Sequence, residues 1–207
     1  MAQYFRIHPE NPQHRLIAQA AKIVHKGGVV VYPTDSCYAI GCHIGDKSAL
    51  ERIRRIRQLD EKHNLTLLCR DLTEIGGYAK VSNSAFRLMK ALTPGPYTFL
   101  LPATRDVPRR LLHPNRKTIG LRVPDNTIAL AMLEELGQPL ITTSLIMPGE
   151  KLPLSDPEMI NERLGKRVDL IIDGGGGGLE STTVVDLMDD YPSIVRIGKG
   201  DISRIGS

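Results

Sequence analysis

Residues 15–26 place Leu16, Ile17, Ala20, Ile23 and Val24 on one helical stripe, Gly27-Gly28 stops that stripe, and Val29-Val30-Val31-Tyr32 follows at once. A continuous apolar run of this kind, without polar alternation, reads as a strand covered on both faces. A helix that delivers the chain straight into such a strand requires layers on both sides of a sheet, which is the α/β arrangement. The rhythm continues. Helices are expected over residues 48–58, 82–92, 127–136 and 157–164, the first opening with the capping-box form Ser48-Ala49-Leu50-Glu51. Strands are expected over residues 38–44, 65–69, 97–101, 119–124, 139–141, 168–172, 183–187 and 194–197. Aromatic residues make up only 4% and tryptophan is absent, so the core must come from Val, Ile, Leu and Ala, which suits an α/β layer structure. With no internal repeat and no linker composition, residues 1–207 are expected to form one domain, a twisted mixed sheet flanked by helices.

The formal net charge of +4 permits binding of polyanions without requiring it. Cys37, Cys42 and Cys69 fit neither a disulfide framework nor a paired zinc pattern and suggest a reducing compartment. Residues 1–10 carry Arg6, His8 and Pro9 with no apolar core of a signal peptide, and no run approaches a membrane span. The expectation is a soluble cytoplasmic protein with no membrane partner.

Three strands run into or out of hydroxyl clusters. Thr34 and Ser36 follow Val31-Tyr32, Thr142-Thr143-Ser144 follow Leu140-Ile141, and Ser181-Thr182-Thr183 precede Val184-Val185. Ligands of open α/β sheets sit at strand ends, so three such clusters would form a wall of neutral donors suited to a phosphate or a small polar acid. The loop Pro33-Thr34-Asp35-Ser36-Cys37-Tyr38 reads on composition alone as a tight turn; the other clusters raise it to one wall of a pocket. Charge could come from Arg57, Arg122 and either Arg116 or Lys117. Arg57 falls within the apolar arc of its helix, where it either snorkels past the core edge or aims into a cleft.

Other chemistries find no support. There is no phosphate-binding GxxxxGK[ST] loop, no GxSxG elbow, and no carboxylate cluster for a protein-held metal. The run Gly174-Gly175-Gly176-Gly177-Gly178 lacks the strand and helix context of a dinucleotide site and reads as a plain mobile loop. His43 and His63 have no acid or nucleophile at recognisable spacing and read as structural or exposed. The basic segment holding Arg105, Arg109, Arg110, Arg116 and Lys117 is either a patch for RNA backbone or a solvated face, and it lacks interleaved aromatics for base stacking.

Five motifs carry a resemblance: Pro33-Thr34-Asp35-Ser36-Cys37-Tyr38, Pro94-Gly95-Pro96-Tyr97-Thr98, Gly120-Leu121-Arg122-Val123-Pro124-Asp125, Thr142-Thr143-Ser144 and Ser181-Thr182-Thr183-Val184-Val185-Asp186. In order and spacing they resemble the YrdC/YciO family, and within it the YciO branch, over about residues 28–186. The resemblance implies a YrdC-like fold with a positively charged concave groove, and binding of nucleotides and of double-stranded RNA or tRNA. It further implies L-threonylcarbamoyladenylate synthesis for tRNA threonylcarbamoyladenosine modification. The substrates would be L-threonine, bicarbonate and ATP, the ATP bringing its own Mg2+. The alternative is a non-catalytic module for double-stranded RNA or tRNA.

Carried over by position, the resemblance puts Thr34, Ser36, Tyr38 and His63 at the amino-acid substrate. It puts Arg57, Thr98, Arg122, Ser144 and Ser181 or Thr182 around the nucleotide, with Arg57 as the catalytic cation. The sequence departs from the family pattern at Leu59, where a second cation is usual, and at Asn64, where proline is usual. It departs again at Ile146, where asparagine is usual. Loss of one cation and one polar positioner implies reduced or altered synthase activity.

Overall fold

The computed structural model describes residues 1–60, 63, 65–189 and 191–205. The chain opens with β1 (Gln3–Arg6) and α1 (His14–His25), and Gly27, at φ +84°, turns it out of the helix into β2 (Val30–Tyr32). β3 (Ala39–His43) and α2 (Lys47–Arg57) follow. The cap of α2 is Asp46, whose carboxylate accepts from the Ala49 amide, so the helix begins one residue before the expected Ser48. Asp46 accepts from the amide three residues on, as an N-cap carboxylate does, and this takes the helix start ahead of the capping-box serine.

After β4 (Thr66–Leu68) come α3 (Leu72–Tyr78) and α4 (Asn83–Leu92), then β5 (Tyr97–Pro102) and β6 (Thr118–Arg122). The second half holds α5 (Thr127–Leu136), β7 (Leu140–Ser144), α6 (Pro157–Leu164), β8 (Leu170–Asp173), β9 (Thr183–Asp186) and β10 (Ser193–Arg196). β1 and α3 had no counterpart in the sequence reading. α3 contains Gly76-Gly77 and buries only Ile75, so it lacks an apolar stripe to betray it.

The strands join in one mixed sheet, in the order β1-β8-β2-β3-β7-β4-β6-β5-β9-β10. β8 pairs in parallel with β1 and β2, β4 with β6, and β5 with β9; the remaining pairs are antiparallel. This is the α/β fold that the sequence leads one to expect.

Alternation along the strands divides the core in two. One cluster gathers Val31, Ile40, Leu67, Phe99 and Leu121 beneath the buried residues of α2, α4 and α6. The other gathers Val30, Tyr32, Leu140, Leu170 and Ile172 beneath α1 and α5. Helices α1 and α5 reach only across β8, β2, β3 and the adjoining ends of β7 and β4. Beyond them the same face continues through the cross-strand row Thr142, Thr66, Gly120 and Leu100. That uncovered part of the sheet is the floor of the cavity described below.

The glycine run is not a plain loop. The Tyr38 hydroxyl donates to the Gly175 carbonyl at 2.7 Å and accepts from the Gly174 amide at 3.2 Å, and the Gly177 amide donates to Ser155 O at 2.8 Å. A Cβ on Gly178 would stand 2.0 Å from the Ser36 carbonyl oxygen. Glycine is required there by close backbone approach, and the run presses on the loop between β2 and β3. Gly178→Ala is therefore expected to lower unfolding free energy by about 1–3 kcal/mol, the usual cost of overpacking. Urea denaturation of both proteins measures it; an unchanged midpoint and slope would show that the contact is not made.

Candidate functional site

The residues of the β2–β3 loop bond first to one another. Thr34 Oγ1 donates to the Cys37 carbonyl at 2.7 Å, lies 3.1 Å from Ser36 Oγ, and receives the Ser36 and Cys37 amides at 3.2 and 3.3 Å. A short hydroxyl side chain that bonds its own backbone two and three residues on closes a tight local turn. Ser36 is wholly buried, and the phenol of Tyr38 is directed to the glycine run. Burial raises the Tyr38 pKa strongly, so the phenol stays neutral and can donate.

Beside this loop lies a cavity of about 500 Å³. Its floor is Ala39, Thr142 and Thr66 from β3, β7 and β4, with Thr98 and Leu100 from β5 and Thr182 and Val184 around β9. Gly120, between Thr66 and Thr98, keeps that floor open, since a Cβ there would come within 2.8 Å of Thr66 Oγ1 and 3.3 Å of the Thr98 methyl. The hydroxyls are held in place. Tyr32 OH donates to Thr142 Oγ1 at 2.7 Å, and Thr98 Oγ1 and Thr182 Oγ1 are 2.8 Å apart.

Three guanidinium groups line the cavity. Arg57 enters from the C-terminal end of α2, Arg122 from the end of β6, and Arg196 from β10. Arg196 is clasped to Thr182, donating from Nε and from its terminal nitrogen to the Thr182 carbonyl at 3.2 and 2.9 Å. Desolvation lowers the pKa of Arg57 and, with Arg122 nearby, that of Arg196; both remain cations. Arg57 Nε is buried with no hydrogen-bond partner among the described residues. Cations held out of water with unfilled donors are strongly disposed to take an anion.

His63 completes one wall, its Nε2 3.3 Å from Thr143 Oγ1. Burial, then Arg57 and Arg196, lower its pKa, while Asp60 opposes them.

Of the residues singled out in the sequence, Arg57, His63, Thr98, Arg122, Thr142, Thr143, Ser144 and Thr182 line this one cavity. Thr34, Ser36 and Tyr38 stand behind it in the loop, and Ser181 is not among the lining residues. Arg116 pairs with Asp186 at 3.4 Å, and neither it nor Lys117 lines the cavity. Ile146 borders the cavity, Leu59 packs against the core, and Asn64 lies outside the described residues. Arg196 went unnoticed in the sequence, although it carries the same signal as Arg122, one arginine inside an apolar strand.

The family model described as "Sua5_yciO_yrdC: Telomere recombination" matches residues 22–198. The chain belongs to this family. It is 62% identical over 202 residues to the uncharacterized protein YciO of Escherichia coli (strain K12), covering 98% of both chains. The crystal structure of E. coli YciO superposes with a TM-score of 0.96 at 61% identity, over 99% of this chain and 100% of that one. The threonylcarbamoyl-AMP synthase of Bacillus subtilis (strain 168) is 30% identical over 185 residues, 88% of this chain but 53% of its own. The P. abyssi Sua5 structure complexed with L-threonine has a TM-score of 0.87 at 28% identity, over 95% of this chain and 58% of that one. The Sua5/YciO/YrdC family thus includes synthases of threonylcarbamoyl-AMP.

His63 gives a direct probe of the cavity's electrostatics. Its pKa is expected below the ordinary 6.5, and Arg57→Gln, by removing one neighbouring cation, is expected to move it upward. Proton or nitrogen NMR titration of the imidazole reads both values. An unshifted pKa in the wild type, or no upward movement in the variant, would contradict the arrangement.

Proposed function

We propose that the cavity binds ATP together with a small amino acid, and that the protein is a threonylcarbamoyl-AMP synthase or a slowed relative of one. The observation that carries this reading is the convergence of Arg57, Arg122 and Arg196 on a floor of fixed threonine hydroxyls. Guanidinium groups match phosphate and carboxylate oxygens, and the hydroxyls supply neutral donors and acceptors for the rest of the ligand. About 500 Å³ is a volume usual for sites that take small molecules of this class.

In the reaction, L-threonine and bicarbonate first give the N-carboxylate with loss of water. A carbamate oxygen then attacks the α-phosphorus of ATP, the bond to the β-phosphate bridging oxygen breaks, and pyrophosphate leaves. No proton shuttle is needed at the phosphorus. What the chain supplies is position and positive charge where negative charge gathers. Among the described residues no group of three His, Cys, Asp or Glu is placed to hold a metal, so Mg2+ would travel with the triphosphate. Ile146 on the cavity wall offers no polar group where the family pattern has one, which supports a slower or altered reaction.

RNA binding by the exposed Arg105, Arg109 and Lys117 is a separate element of the proposal, in line with the tRNA-directed chemistry of the synthases. It predicts an affinity for structured RNA that falls steeply as salt rises.

Incubation with ATP, L-threonine and bicarbonate is expected to release pyrophosphate in a threonine-dependent manner. Arg57→Gln and Arg122→Gln should each slow release by about 10²- to 10³-fold, the usual effect of removing one electrostatic donor. Release no greater than without threonine would overturn the synthase reading, while nucleotide binding measured alongside would show whether the cavity still serves ATP.

A further inference from the structure

Arg122 lines the cavity although only 5% of it is exposed. The same terminal nitrogen donates to Asp35 Oδ1 and, at 3.3 Å, to Thr34 Oγ1. Asp35 is not among the cavity-lining residues, and its side chain is only 10% exposed, so the carboxylate backs the guanidinium from the protein side. Arginine and carboxylate usually meet through two parallel bonds. Here the contact is made through one nitrogen, and Arg122 Nε and Asp35 Oδ2 are both buried without a hydrogen-bond partner among the described residues. The Asp35 carbonyl oxygen in turn accepts from Lys199 Nζ, which ties the loop to the segment after β10.

We propose that Asp35 is a positioning residue that holds Arg122 toward the cavity and offsets part of its charge, so that a polyphosphate binds without being trapped. The inference rests on the reading of the cavity as a polyphosphate site. Its logic is electrostatic. Three guanidinium groups in a partly dry cavity would hold pyrophosphate tightly, and slow product release limits turnover in many enzymes. One carboxylate behind Arg122 lowers the field felt by a bound anion while leaving the guanidinium in place. The single-point contact matters, because it fixes direction without saturating the guanidinium's remaining donors.

Asp35→Asn separates the two roles, since the amide oxygen still accepts from Arg122 while the charge is gone. Tripolyphosphate, which carries no nucleoside, is the probe, with affinity measured by calorimetry. The variant is expected to bind it about tenfold more tightly than the wild type, the scale of one like charge removed at short, partly screened range. Its unfolding temperature without ligand is expected to fall, because a buried cation has lost its partner. Asp35→Ser, smaller and also neutral, serves the same purpose if the amide variant does not fold. Lys199→Ala loosens the same loop but keeps the carboxylate, and should show no gain in affinity. Tighter binding in a charge-removed variant supports the proposal even if no threonine-dependent pyrophosphate release is seen, in which case the synthase reading alone falls. Equal or weaker binding in both neutral variants, or no binding of tripolyphosphate by any of the proteins, overturns it.

Discussion

Helices α1 and α5 cover only part of one sheet face, and the arginine-lined cavity is what they leave open. Every strand that contributes to the floor is held from the opposite face by α2, α4 and α6, so the floor is rigid although one side of it is bare. An uncovered sheet face left apolar would be prone to association. Here Thr66, Thr98, Thr142 and Thr182 stand in place of aliphatic residues along it; Thr98 and Thr182 pair their hydroxyls with each other, and Thr142 pairs its own with Tyr32. A polar, pre-bonded floor remains stable in water and is also a ready template for a polar ligand.

Around that floor the cations are anchored one by one. Arg196 is clasped to Thr182, Arg122 is directed by Asp35 and Thr34, and Arg57 projects from a helix end with its Nε unfilled. Such pre-organisation means that a bound anion meets donors already in place, which is where electrostatic catalysis gains most. The β2–β3 loop contributes through this support. Its hydroxyls shape the turn that carries Asp35 and Cys37, and the glycine run presses the loop from behind.

Much of this was legible in the residues. Helical stripes and apolar runs gave the α/β alternation, and the bounds of α5 and α6 agree with their sequence patterns because good caps, Asn126 and Asp156, stand directly before them. The hydroxyl clusters at strand ends pointed to the cavity, which Thr142, Thr143, Ser144 and Thr182 line together with Arg57, His63, Thr98 and Arg122. Orientation was not legible. Thr34 looks the same in sequence whether its hydroxyl faces a ligand or its own backbone, and in the fold it receives the backbone amides of Ser36 and Cys37. Arg196 stands beside a register shift between Ile194 and Arg196 in the β9–β10 pairing, so its place inside an apolar strand marks it without giving its direction. The pairing of Asp35 with Arg122 joins positions 87 residues apart and is set only by the sheet order.

The central claim is that polyphosphate is held where Arg57, Arg122 and Arg196 converge. A crystal structure with a non-hydrolysable ATP analogue and Mg2+ tests it most directly. The account predicts phosphate oxygens within hydrogen-bond distance of at least two of the three guanidinium groups, with Thr98 or Thr182 hydroxyl contacts nearby. A nucleotide bound elsewhere on the molecule, with the three arginines left as they stand without ligand, would contradict it.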